Sequence, residues 1–443
     1  LDDRSGLHEP ISDRPRDAVA RGPFGLPVHP LRGAALGEIH ARPAPWVQVP
    51  RSLIKLCFMT DGGNNVDHAV LAQLSRENGV APPDSSVRHH RINMRNGALW
   101  YERHTEASTY LWEGPQPADL ANEVPHHPFG DAFPAPGLLL AAMRIDVVAW
   151  RDDPGAFTAL MDRQTLCCST TENGKAAVIT DFRLDAHGMT RAIIMDNGLT
   201  PQLLGALARR LFDIEMYRAM AMLGLPLAQT LSPRMRKAED QLAALTHRMR
   251  VMDAEDAEDL LGEFTTLAAD LEADAASSLY RFGASRAYDE IVNDRLEALN
   301  ETPWPGFVTW RAFLTRRLAP AMRTCRAVEE RQANLSRKLS RAANLLRTHV
   351  DVEVEKQNRD LLNSMNRRAR LQLRLQQTVE GLSVAAVSYY IVGLFAYLAG
   401  GIAGPWLPVS KPVLVAGFVP VAMLTIWWTV RRIRAHHSEA EDD

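Results

Sequence analysis

Two stretches of this sequence, residues 381–410 and 412–430, contain no Asp, Glu, Lys or Arg. A water-exposed helix of that length carries charge on every turn or two, so such uncharged runs exclude an ordinary soluble surface. Histidine is missing from both as well, which removes the usual marker of a proton relay or ion site inside a membrane. At ~1.5 Å per residue, ~20 residues cross a bilayer core, and each stretch is long enough to do so. We read residues 382–430 as a transmembrane hairpin with spans at 382–401 and 412–430.

Other absences narrow the chemistry. The four cysteines (Cys57, Cys167, Cys168 and Cys325) form no C-x-x-C pair and no zinc-ligand spacing, so reduced, buried thiols are expected. No G-x-S-x-G elbow, G-x-G-x-x-G turn or G-x-x-x-x-G-K-S/T loop occurs, so neither an enzyme activity nor a cofactor is expected. A net charge of -3 argues against a body built to bind nucleic acid. The first residues hold acids and prolines where a secretory signal has a basic start and an apolar run, so no signal peptide is expected there.

What is present divides the chain. Residues 1–28 read as an irregular arm rich in Pro, Gly and charge. Residues 29–198 read as an α+β cytoplasmic domain. Its first helix opens at His29-Pro30, a buried strand SLIKLCFMT covers 52–60, and a helix follows from Asn64 or Asn65 to Gly79. Strands are expected at 87–94, 98–105, 108–114 and 138–150, and then in TLCCSTT, AAVITDFRL and MTRAIIMD. Short connections predict a mostly antiparallel sheet of about seven strands. Residues 199–319 read as a helical region, opened by Thr200 as N-cap with Pro201 in the first turn. Residues 320–381 hold no internal Pro or Gly and read as one long stalk helix. Its apolar stripe Leu335, Leu339, Ala342 and Leu346 gives way to His349 and Glu353, so a strict coiled coil is not sustained. Residues 431–443 form a tail.

Charge at the membrane edges sets orientation. Arg367, Arg368, Arg370 and Arg374 precede the first span, and Arg431, Arg432 and Arg434 follow the second, whereas the connecting loop offers only Lys411. Positive residues stay inside, so both termini are expected in the cytoplasm of a cell whose inner membrane holds the hairpin. Gly393, Ala396, Gly400 and Gly417 are small residues suited to close helix packing, within the hairpin or between subunits.

Polar clusters are few. Glu102, His104 and Glu106 in E-R-H-T-E would share one face if the strand ran through them, which suits a polar site. His89-His90, His126-His127 and His436-His437 are solvated histidines or partial ligands; neighbours on a strand point to opposite faces. D-G-G-N-N (61–65) is a helix cap or a phosphate-binding turn. His29, Arg32, Glu38, His40 and Arg42 could bind an anion or tie the first helix to the sheet.

The stretches HPLRGAALGEIHARP, ERHTEASTYLW, VVAWRDDPGAF, LLGALARRLFDIEMYRAMAMLGLPLA and QNRDLLNSMNRRARLQLRLQQTVEGLSVAAVSYYIVGLFAYL together resemble a bacterial family of uncharacterised membrane-anchored proteins. That resemblance covers about 29–434 and implies architecture and location, without an activity. Ala107 departs from it, a bulky aromatic being usual after H-T-E. The layout is also similar to CorA-type magnesium channels. Where those carry Gly-Met-Asn this chain has YLAGGIAGPW. ARRLFDIEMYRAMAMLGLPL resembles the family required for meiotic nuclear division.

The expected function is a non-enzymatic membrane-anchored scaffold or sensor, homo-oligomeric, with the lipid bilayer as its partner. A divergent CorA-like ion channel with Asn358, Asn363 and Asn366 around a cavity is the alternative. A tethered enzyme using Glu102, His104 and Glu106 is a third.

Overall fold

RSLIKLCFM forms an interior strand of a nine-stranded sheet, and its near-continuous apolar run is what a strand covered on both faces requires. The computed structural model describes residues 23–29, 31, 32, 36, 45–60, 64–85, 87–251, 256–402 and 410–438. The strands are β1 (Arg51–Met59), β2 (His89–Met94), β3 (Gly97–Arg103), β4 (Ala107–Gly114), β5 (Leu138–Ala149), β6 (Cys167–Thr171), β7 (Ala176–Leu184), β8 (Thr190–Asp196) and the two-residue β9 (Thr302–Pro303). They lie in the order β2-β3-β4-β1-β5-β8-β7-β6-β9.

All the long pairings are antiparallel except β5 with β8, which run parallel. Parallel neighbours need a crossover. Here the crossover is built from the short helix α2 (Gly155–Thr158) and the β6–β7 hairpin, which occupies the far edge before the chain returns. Short turns along the sequence do not reveal this, because each hairpin is local while the β5–β8 contact is not. β9 also carries residues of the expected helical region into the sheet, pairing Thr302 with Thr170.

The helices are α1 (Asn64–Glu77), α3 (Pro201–Met222), α4 (Gly224–Val251), α5 (Ala257–Ala298), α6 (Trp310–Ile402) and α7 (Lys411–Ser438). The chain divides into two units, residues 1–246 with 263–340, and residues 247–262 with 341–443.

In the first unit, α1 covers one sheet face through Val70, Leu71 and Leu74 against Ile54, Phe58, Tyr110 and Trp112. The opposite face is covered by α3. Leu204, Leu207, Leu211 and Ile214 face the strands, while Phe282 and Val292 of α5 and Phe313 and Met322 of α6 close the core from behind. Each such side chain contributes about 1.5–3 kcal/mol of burial. Thr200 caps α3 through its hydroxyl, which accepts from Leu203 N at 3.4 Å. A Cβ on Gly205 would lie 1.7 Å from the carbonyl oxygen of Pro45, so the α3 backbone meets the passing chain there with no room for a side chain.

α6 corrects the expected break at Pro320, because the helix runs through that residue from Trp310. Proline removes one backbone bond at ~3 kcal/mol. Burial of Leu318, Ala321 and Met322 around it offsets that loss. The start of α6 is fixed by Glu301, whose carboxylate accepts from Trp310 N at 3.0 Å and Arg311 N at 2.9 Å and also from Ser169 Oγ at 2.5 Å.

In the second unit, α6 is exposed at every position from 354 to 379. Beyond it, α6 and α7 pack as a hairpin. Phe395 stacks on Phe418 with centroids 3.8 Å apart, and Ser388, Ala399 and Ala422 are buried. Within the hairpin of one chain, nothing described lies within 4 Å of a Cβ built on Gly393 or Gly417, and on Gly400 it meets only the Lys411 side chain.

Candidate functional site

Strand β3 ends at Arg103 and β4 begins at Ala107, so His104, Thr105 and Glu106 form the turn between them. Glu102, His104 and Glu106 therefore do not share a strand face, and the structure gives the two carboxylates different partners. Glu102 remains on β3, towards α3. Its carboxylate lies 3.9 Å from Lys55 Nζ of β1, 3.4 Å from an Arg209 nitrogen of α3 and 4.0 Å from His104 Nε2. Glu106 is buried and turned to α5, where Arg281 grips it with two nitrogens at 3.0 and 2.7 Å and the Tyr280 hydroxyl donates at 3.2 Å. Between them the His104 ring meets the edge of Tyr217, which stacks on Tyr288.

Burial pushes the Glu106 carboxyl up, but hydrogen bonds from Arg281, Tyr288 and Tyr280 outweigh it and hold the group below its ordinary range. Burial first, and then its bond to Glu106, raises the Tyr288 hydroxyl. Cys57 lies on β1 with its thiol pushed up to about 12 by burial, so it is no thiolate at neutral pH.

Lys55, Glu102 and Arg209 border a cavity of about 240 Å³, walled by Leu53, Trp100 and Phe212. Its shape is that of a small apolar chamber with a cationic pair bridged by one carboxylate. Lys55 Nζ also sits 5.9 Å over the Phe212 ring. His89 and His90 both line this chamber, and His90 also meets Ser75 Oγ of α1 at 3.2 Å. His127 pairs with Glu123 in a loop. His436-His437, Glu38, His40, Arg42 and the turn at 61–63 lie outside the described side chains. Among the described residues no three His, Cys, Asp or Glu side chains converge as metal ligands would.

Sequence reasoning passed over buried charges on both faces of the sheet. Lys55 was legible as a lone charge inside SLIKLCFM. So was Asp146 within RIDVV: it is fully buried and accepts from Ser52 Oγ at 2.6 Å, Arg144 Nε at 3.0 Å and Arg191 at 2.8 Å. The two arginines also donate to the Leu120 and Asn122 carbonyls, tying the loop after β4 to the sheet.

A second candidate surface is the exposed apolar hairpin. Two helices are long and apolar enough to cross a membrane, with mean hydropathy of 1.8 within α6 and 2.0 within α7. Only 11% and 6% of those windows are buried, whereas the core helix of a soluble protein is mostly covered. At the end of α7, Arg431 lies 5.1 Å over Trp427 and Arg432 5.2 Å over Trp428, pairing each cation with a ring. Arg367, Arg368, Arg370 and Arg374 are all exposed ahead of the uncharged stretch of α6, and the Arg434 side chain lies outside the described residues.

Residues 27–437 match a family described as a protein of unknown function, DUF3422. No curated protein matches.

Proposed function

The chain belongs to the DUF3422 family, and from this premise we propose that it is a membrane-anchored scaffold that associates with further copies of itself. The proposal places the hairpin in the inner membrane, with both termini in the cytoplasm and no catalytic step.

The observation that carries it is the bare stretch of α6. Within 354–379 and just beyond, Val354, Leu361, Met365, Leu375, Val379 and Leu382 are at least half exposed. Their steps of 7, 4, 10, 4 and 3 residues place them on a and d positions of one heptad frame. Asn358, Arg368 and Gln372 complete that frame, and polar residues at such positions set register and copy number at a cost in stability. A helix with this seam uncovered is best supported by a second identical helix, since the adjoining hairpin holds copies in one plane and raises their local concentration.

Single cysteines at Leu361 and, on another face, Asn363 test this in native membranes. The native thiols are buried, so disulfide trapping reports the introduced ones. Dimer formation by Leu361→Cys well above Asn363→Cys is expected. Equal or absent trapping at both positions refutes self-association. Labelling from outside intact cells should reach Lys411→Cys and spare Arg432→Cys; the reverse refutes the orientation.

A further inference from the structure

A cavity of about 290 Å³ lies in the first unit where the end of β7 meets α3 and the first turns of α6. It is remote in the sheet order from the Glu102 chamber and shares no lining residue with it.

The pairing of β7 with β8 slips between Thr180 and Leu184, and inside that bulge Phe182 adopts a φ of 56°. A bulky residue in the left-handed region is strained by about 1–3 kcal/mol, and such strain persists where the surroundings impose it. Here it takes Phe182 out of strand alternation and stacks its ring on Phe313 at 5.0 Å, with the Trp310 edge at 4.9 Å. The result is an aromatic wall.

Three arginines stand around that wall: Arg183, Arg218 and Arg317. Arg183 is paired with Asp162, and Arg218 with Glu215 at 2.6 Å. The carboxylate of Asp181, also in the lining, accepts backbone N–H groups of Asp162 and Arg183 at 2.9 and 3.0 Å. Arg317 differs from the other two. Its guanidinium lies 4.0 Å over the Phe313 ring, and among the described residues no carboxylate is in ion-pair distance of it. Thr165 Oγ1, in the same lining, is buried with no hydrogen-bond partner. One unmatched cation, one unmatched hydroxyl and a ring wall converge on one space.

We propose that this cavity binds a small amphipathic carboxylate, its anion on Arg317 with Thr165 donating, its apolar body against Phe182 and Phe313. Charge decides between carboxylate and phosphate ester. Arg183 and Arg218 are each paired, and Asp181 in the lining offsets the third arginine, so the lining has no surplus positive charge; the Arg317 guanidinium suits a planar monoanion, and a dianion would be left uncompensated. The volume sits at the lower edge of the roughly 300–1,000 Å³ seen for ligand pockets, which suits a short chain or single ring better than a dinucleotide. The site would make the soluble unit responsive to a metabolite, independently of whether copies associate.

The test is calorimetric titration of the full-length protein in lipid nanodiscs, with empty discs subtracted, using octanoate, octanol and octyl phosphate as probes. Octanoate should bind saturably, one per chain, ahead of both others. Arg317→Gln should weaken it by about tenfold or more, as expected for losing a charge-assisted pair. Arg317 is exposed and lies over the Phe313 ring, so this variant keeps the fold, and unchanged thermal unfolding will show it. Thr165→Val should weaken octanoate by a smaller factor. No saturable octanoate binding, equal affinity for octanol, tighter octyl phosphate, or an unaffected Arg317→Gln would each overturn the assignment.

Discussion

Replacing Asp146 by alanine removes the carboxylate on which Ser52, Arg144 and Arg191 converge. Asp146 has no exposed surface, and the Arg144 and Arg191 side chains are only 5% and 11% exposed. The variant leaves two guanidiniums close together in a dry place, with the carbonyls of Leu120 and Asn122 still accepting from them. Breaking a buried pair by deleting one member costs about 3–5 kcal/mol. Against a total stability of about 5–15 kcal/mol, that is a large fraction. Urea unfolding of the full-length protein in detergent, followed by tryptophan fluorescence, should show the midpoint of the first unit fall by about 2 M, taking a slope of ~2 kcal/mol per molar. Protease should also cut earlier in the loop around Leu120, because its two tethers loosen together. Changing Asp146, Arg144 and Arg191 all to apolar residues should recover most of the loss, since burying no charge avoids the desolvation cost. An Asp146→Ala midpoint within ~0.3 M of the native one, under about 1 kcal/mol at that slope, would refute the reasoning.

Glu106 makes stability pH-dependent. Its carboxyl is held below its ordinary value of 4.5, so its contribution is full above that value and is lost as pH falls through the lowered folded one. Glu106→Gln should therefore unfold more easily at neutral pH and lose less on acidification, read as urea midpoints across pH 3–7; parallel curves for both proteins would contradict this. The thiols of Cys57, Cys167 and Cys168 are pushed up to about 12 by burial, and Cys325 is raised by the same cause. Ellman's reagent should find none of them at pH 8 in the native protein and all four after denaturation, and rapid native labelling would show the burial to be misassigned. Gly205→Val drives a side chain into the Pro45 carbonyl and should destabilise the first unit by about 3 kcal/mol or more, as overpacking without room to relax does. Glu301→Ala strips the N-terminal cap of α6 and should cost about 1–2 kcal/mol in the same unfolding assay, against no change if solvent caps the helix equally well.

Most strands were readable because each is a local pattern. SLIKLCFM, ASTYLWEG and AAVITDFRL announce themselves through β-branched and aromatic residues, and Asn96-Gly97 marks the hairpin between β2 and β3. The E-R-H-T-E cluster shows the limit of this. The pattern puts a strand over 98–105 and a shared face only if it runs on to Glu106, whereas the strand ends at Arg103 and Arg281, 175 residues further on, holds Glu106 in the turn. A partner so distant leaves no trace in spacing. Pro320 shows the opposite error, a strong local stop signal overridden by the packing of its neighbours.

Alone, the sequence determined the two uncharged apolar stretches, the α+β unit ahead of them and the arginines that flank them, because hydropathy and charge act residue by residue. Tertiary structure alone decided the parallel β5–β8 contact, the separate partners of Glu102 and Glu106, the buried Asp146 and the unmatched guanidinium of Arg317. Each of those depends on which distant side chains the fold brings within a few ångströms, and burial and charge pairing are properties of that meeting rather than of any one stretch of chain.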